Sequence, residues 1–128
     1  MSKGFFPSRP NYNLRIYAYE DTNPQYKGLL RIGQTTRSVE TRVKEQYPSV
    51  RPGKPPYKIV MNESAMRPDG TVFHDDPDVF KYLEKMRVKR PGGDFFKCDV
   101  NTVESAIVAL RNRLENVENR VYDFKMRP

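Results

Sequence analysis

Two short apolar segments joined by a turn-rich stretch, with a helical pattern directly behind them, constrain this chain more than any other feature. Residues 14–19 (LRIYAY) are apolar and aromatic, as strands are. Residues 20–28 (EDTNPQYKG) contain Asn23-Pro24 and Gly28, which punctuate a turn. Residues 29–33 (LLRIG) form a second strand pattern, so the pair predicts a hairpin with an irregular loop. From Ser38 to Tyr47 the period changes. Val39 and Val43 stand four apart, Ser38 can cap, and Glu40 suits a first helical turn.

Pro48, Pro52, Pro55 and Pro56 stop that helix and fill a loop. Residues 57–66 predict a third strand, and Arg67-Pro68-Asp69-Gly70 a turn, with 71–74 returning as a short strand. A second helix is expected from Asp76-Pro77, with Asp as cap, Pro at the first helical position, and Val79, Leu83 and Met86 buried. Pro91-Gly92-Gly93 ends that unit, and residues 95–98 predict a short strand in which Cys98 reads as core. A last helix starts at Asn101, with Glu104 completing a capping box. Val103, Ile107, Leu110, Leu114, Val117 and Val121 give it a heptad-like seam, suited to core packing, a dimer contact or continuation into another domain. The expected fold is a small α/β (α+β) domain: a three-stranded, mainly antiparallel sheet flanked by helices, with an added C-terminal strand-helix segment. Residues 1–13 read as a flexible arm, 14–114 as the domain, and 115–128 as a helix end or linker.

A chain of 128 residues fits one domain. No apolar run reaches the roughly 20 residues a membrane helix needs, and no signal-peptide pattern opens the chain. One Cys and one His leave no disulfide framework and argue against a Cys/His zinc site. The cytoplasm is therefore the expected location. Net charge is +7, unevenly spread. Between Lys27 and Val60 stand Lys27, Arg31, Arg37, Arg42, Lys44, Arg51, Lys54 and Lys58 against Glu40 and Glu45. Between Met61 and Phe80 the sign reverses, with Glu63, Asp69, Asp75, Asp76 and Asp78 against Arg67. Basic residues hold phosphate and clustered carboxylates hold a hard cation, although a mixed solvated surface reads the same way.

The hairpin and its junction resemble the GIY-YIG nuclease superfamily. Arg15-Ile16-Tyr17 lies on the first strand and Arg31-Ile32-Gly33 on the second. Gln34-Thr35-Thr36-Arg37 then leads into Val39-Glu40-x-Arg42-Val43-Lys44-Glu45. Later segments, Asp69-Gly70-Thr71-Val72-Phe73, Val79-Phe80-Lys81-Tyr82-Leu83 and Gly92-Gly93-Asp94-Phe95-Phe96, resemble the branch in which a basic residue replaces the second tyrosine. The resemblance spans about residues 14–114. Such domains commonly precede a superfamily 2 helicase or restriction-type motor, and Phe124-x-Met126-Arg127-Pro128 resembles the lead-in to one, as if a domain had been excised from a longer chain.

The resemblance implies phosphodiester hydrolysis with one Mg²⁺ or Mn²⁺ on DNA. Tyr17 then matches the first tyrosine, Arg42 the transition-state arginine, and Asp76 the metal ligand, with Glu63 and Glu104 as rivals. Arg31 stands where the second tyrosine would be, Gln46 where a histidine often lies, and Arg15 where a glycine is usual. Tyr19 or His74 would then supply a base. Each residue has a plainer role open to it: Tyr17 as a core tyrosine, Arg42 as a solvated arginine, Asp76 and Glu104 as helix caps, His74 as a loop residue. DNA contacts are expected from Arg31, Arg37, Lys44, Arg51, Lys54 and Lys58. Three classes remain open: an endonuclease domain attached to or acting with a motor, a degenerate nuclease fold that only binds DNA, and a protein-interaction module using the heptad seam. Oligomeric state is not legible.

Overall fold

The hairpin forms where alternation demands it. The protein is described by a computed structural model, in which residues 13–47 and 53–114 are described. Strands β1 (Arg15–Asp21) and β2 (Leu30–Thr35) pair antiparallel, with Tyr17 opposite Gly33 and Tyr19 opposite Arg31. A 3₁₀ turn, Pro24–Tyr26, fills their connection, and Asn23 caps it by accepting from Gln25 N. Helix α1 (Val39–Lys44) follows, its Ser38 hydroxyl accepting from Thr41 N at 3.4 Å. Strand β3 (Tyr57–Ser64) lies along the other edge of β1.

Among the described residues the sheet has five strands, all paired antiparallel, in the order β3-β1-β2-β5-β4, so the three-stranded expectation is corrected. Strand β5 (Phe95–Lys97) pairs with β2, and β4 (Lys89–Gly92) pairs with β5. Strand β4 reads Lys-Arg-Pro-Gly and is exposed throughout. It carries no apolar alternation, and its proline is tolerated at a sheet edge. The expected strand at 71–74 reduces to one bridge, Met66 to Val72.

Alternation gives the sheet two different faces. Leu14, Ile16, Ala18, Ile32, Met61 and Phe96 pack with the second and third helices in the main core. Tyr17 and Tyr19 point the other way and pack with Val39 and Val43 of α1. The second helix, α2 (Phe80–Lys85), buries Phe80 and Leu83. Met86, expected in the core, is 48% exposed. Arg87 turns the chain at φ 67°, Val88 N donates to Leu83 O, and Val88 takes the inward place. Helix α3 (Val100–Arg111) is capped by Asp99, which accepts from Thr102 N at 2.9 Å, not by an Asn101–Glu104 box. Val103, Ile107 and Leu110 are buried, but the helix closes at Arg111 and Leu114 is 40% exposed. Arg113 sits at φ 56° and Leu114 N donates to Ala109 O, a Schellman ending. Val117 and Val121 lie outside the described residues, as do Arg51, residues 1–12 of the expected arm at 1–13, and the expected helix end or linker at 115–128. Cys98 is half-buried against the main core, and burial pushes its thiol up to about 11. Among the described residues, no helix is long and apolar enough to cross a membrane.

Candidate active site

On the α1 face of the sheet, a chain of polar side chains links two tyrosines to an arginine. Gln46, just past α1, donates from Nε2 to the Tyr17 hydroxyl at 3.1 Å. The Tyr19 hydroxyl donates to Gln46 Oε1. Arg31 Nη1 donates to Tyr19 Oη at 3.1 Å, and Arg31 Nε donates to both oxygens of Asp94 at 3.0 and 3.1 Å. The register explains the grouping, since Tyr17 faces Gly33 across the ladder and Tyr19 faces Arg31. Gly33 is required there. A Cβ on it would lie 2.6 Å from Tyr17 Cζ, closer than real side chains approach.

Arg42 lies one helical turn before Gln46, so both project from the same side of α1. Its charge reaches Tyr17 and pulls the phenol's pKa down, as does that of Arg31. Burial outweighs both and holds the Tyr17 hydroxyl above the ordinary tyrosine value. Burial likewise raises Tyr19. Both phenols are therefore protonated at neutral pH. Burial works against the charge on Arg31, yet Tyr19 and Asp94 more than restore it and raise its pKa. Arg42 remains 42% exposed, in a loose 3.5 Å ion pair with Glu45. Arg37 grips the same Glu45 through two 2.7 Å bonds.

The carboxylates are dispersed. Glu63 sits opposite Ile16 in the ladder, on the α2/α3 face, with Arg111 of α3 at 3.4 Å. Glu104 belongs to α3 in that same layer. Asp76 is exposed and extended (φ −125°, ψ 117°) within a turn over Asp75–Val79. It caps nothing, and its carboxylate accepts no hydrogen bond among the described residues. The expected capping role is therefore not realised. His74 precedes this turn. Its backbone N donates to Asp78 Oδ2 at 2.8 Å, and its ring stands 3.8 Å from that oxygen. The turn meets β2 through Asp75 N and Gln34 Oε1 at 2.9 Å. Burial raises the Asp75 carboxyl above its usual range. Among the described residues, no group of three or more His, Cys, Asp or Glu could hold a metal ion.

Tyr17, Tyr19, Arg31 and Arg42 are thus brought together, whereas His74, Asp76, Glu63 and Glu104 do not join their network. Of the expected DNA contacts, Lys44 and Lys54 are exposed. Lys58 stands opposite Glu20 in the β1–β3 ladder, on the α2/α3 side. Two members of the site were not among the expected site residues. Gln46 stood only for a missing histidine, though its spacing of four from Arg42 was a usable signal. Asp94 was read as part of a segment motif, and only the β2–β5 pairing carries it to Arg31.

A family model, the T5orf172 domain, matches residues 16–111. No curated protein and no solved structure matches the chain.

Proposed function

The chain belongs to the T5orf172 domain family, whose members are nuclease-like domains, and from that premise we propose that it is a metal-dependent DNA endonuclease domain of the GIY-YIG type. The observation that carries this reading is the convergence of Tyr17, Gln46 and Arg42 on one sheet face. The Tyr17 oxygen accepts from Gln46, and its own proton has no acceptor among the described residues, so it can hydrogen-bond a water or a phosphate oxygen once the network over this 2%-exposed residue opens. Arg42 is exposed and loosely held, so its guanidinium can leave Glu45 for a phosphate and stabilise the charge of the pentavalent phosphorus. Tyr19 already donates to Gln46 and accepts from Arg31, which makes it a positioning residue rather than a base.

Mg²⁺ takes one or two carboxylates and completes its shell with phosphate oxygens and water. Among the described residues no cluster of carboxylates stands beside Tyr17 and Arg42 to offer that donor set, so Asp76, which lies outside their network, would hold Mg²⁺ or Mn²⁺ on the resemblance alone. When bound, the ion supplies charge neutralisation at the phosphate. A helicase or restriction-type motor as partner is part of the proposal, on the resemblance of residues 14–114 alone.

The test is nicking of supercoiled plasmid in Mg²⁺ or Mn²⁺. Wild type nicks, a chelator abolishes it, and Arg42→Ala or Tyr17→Phe slows it by about 10² or more. Equal nicking by Arg42→Ala overturns the reading. A second reading, a DNA-binding module without cleavage, is favoured by one observation: Asp94, the carboxylate inside the network, is already held by Arg31. Salt-dependent binding of plasmid with no nicking in either metal supports it.

A further inference from the structure

The α1 face of the sheet is covered over only part of its width. Helix α1 lays Val39 and Val43 over Tyr17 and Tyr19. On the β2–β5 side, Phe95 stands opposite Arg31 in the ladder. The Arg31 guanidinium lies over the Phe95 ring, 5.3 Å from its centroid. Tyr26, from the 3₁₀ turn, stacks on the same ring at 5.2 Å and 7°. Tyr26 and Phe95 are half-buried and belong to neither core cluster. The core therefore does not account for this stack.

Cations outnumber carboxylates around the stack, with Glu20 and Asp21 sharing the depression lined by Tyr26 and Lys27. Lys27 follows Tyr26, and Lys97 lies two residues beyond Phe95 on the same face, opposite Lys89 in the ladder. All three lysines are exposed. Arg87, Lys89 and Lys97, with Asp99 as the one carboxylate among its lining residues, then border a shallow depression that continues outward to the start of α3. Asp94, the carboxylate next to Phe95, is neutralised by Arg31. Arg31 Nη2 donates no hydrogen bond among the described residues, so one amino group stays available for a phosphate.

An aromatic face flanked by cations binds a nucleic-acid strand by stacking a base and gripping its phosphates. In a duplex each base is already stacked on its neighbours, so such a face engages an unpaired base. We propose that Tyr26, Phe95 and Arg31, with Lys97 and Lys89 beyond them, form a subsite for an unpaired DNA strand. Through Arg31 this subsite is continuous with the site of Tyr17 and Arg42. The inference rests on the reading of the chain as a DNA-acting domain, and it names the preferred substrate as DNA with single-stranded character.

The test is fluorescence anisotropy without divalent metal, using labelled oligo(dT) and a duplex of equal length. Tyr26→Ala is expected to weaken oligo(dT) binding about tenfold while duplex binding changes less than about twofold, and Tyr26→Phe is expected to bind like wild type. Lys97→Ala is expected to lower the log–log salt slope for oligo(dT) by about 0.7. Tyr26 lies in a loop and Lys97 is exposed, so both variants should fold, which thermal melting checks. Unchanged oligo(dT) binding by Tyr26→Ala, or equal loss on both probes, overturns the subsite. If that happens while wild type still nicks plasmid, only the subsite falls. If wild type binds neither probe and nicks nothing, the nuclease reading falls with it.

Discussion

At the residue scale, Gly33 and Tyr17 are a matched pair. The glycine is needed because the phenol of Tyr17 lies across the ladder where a Cβ would stand. Gly33→Ala must push the ring away from Gln46 or shift the strand. Overpacking of this kind costs about 1–3 kcal/mol. Urea unfolding should show that loss, and plasmid nicking should fall further than the stability change explains, because Tyr17 loses its place. Nicking at the wild-type rate would separate Gly33 from the site. The tyrosines also set an alkaline limit. Burial, ahead of every other cause, holds Tyr17, Tyr19 and Tyr47 above the ordinary value of 10.0. A folded-state pKa raised above the unfolded one contributes stability that is fully present below pH 10 and is lost as pH rises through the raised values. Melting temperature should therefore hold from neutral pH to about pH 10 and decline above it. Tyr47→Phe should make that decline shallower. A decline already complete by pH 9 would point to other groups.

At the element scale, legibility followed periodicity. The hairpin and α1 could be read because LRIYAY, LLRIG and the Ser38–Val43 stretch each have one dominant period. Strand β4 could not, since KRPG has no apolar side to bury and joins the sheet only through β5. The helix ends were misread for a different reason. A Schellman ending is expected at glycine, but here Arg87 and Arg113 hold the left-handed conformation, at φ 67° and 56°. Met86 and Leu114 were consequently carried one step too far along their helices. For a residue with a Cβ, that conformation costs roughly 1–2 kcal/mol. Arg87→Gly should remove part of this cost and stabilise the protein by about 1 kcal/mol in urea unfolding. A destabilised variant would mean that the Arg87 side chain contributes more than its backbone strain costs.

At the scale of the whole molecule, the sheet divides the charges that the sequence runs together. The basic stretch from Lys27 to Lys58 looked like one surface, but alternation sends its members to different sides. Arg31 and Arg42 gather near Tyr17, whereas Lys58 stands beside Glu20 on the side occupied by α2 and α3. The site was legible to the same extent. Tyr17 and Arg42 came from the strand and helix motif, but the separation of Glu63 and Glu104 from them depends on which face each element presents. A DNA strand seated on the α1 face cannot gain equally from both sets of cations. Each phosphate neutralised on a duplex contributes about 0.9 to the slope of log affinity against log salt. Arg42→Ala should therefore lower duplex affinity about three- to tenfold and reduce the slope by about 0.9, measured by anisotropy across a salt series without metal. Lys58→Ala should leave both affinity and slope at wild-type values, because its strand position, opposite Glu20, falls on the other side of the sheet. Both variants remove one positive charge, so net charge alone predicts equal losses. Equal losses would mean that DNA is held by the diffuse field of the molecule, not by the face that carries Tyr17.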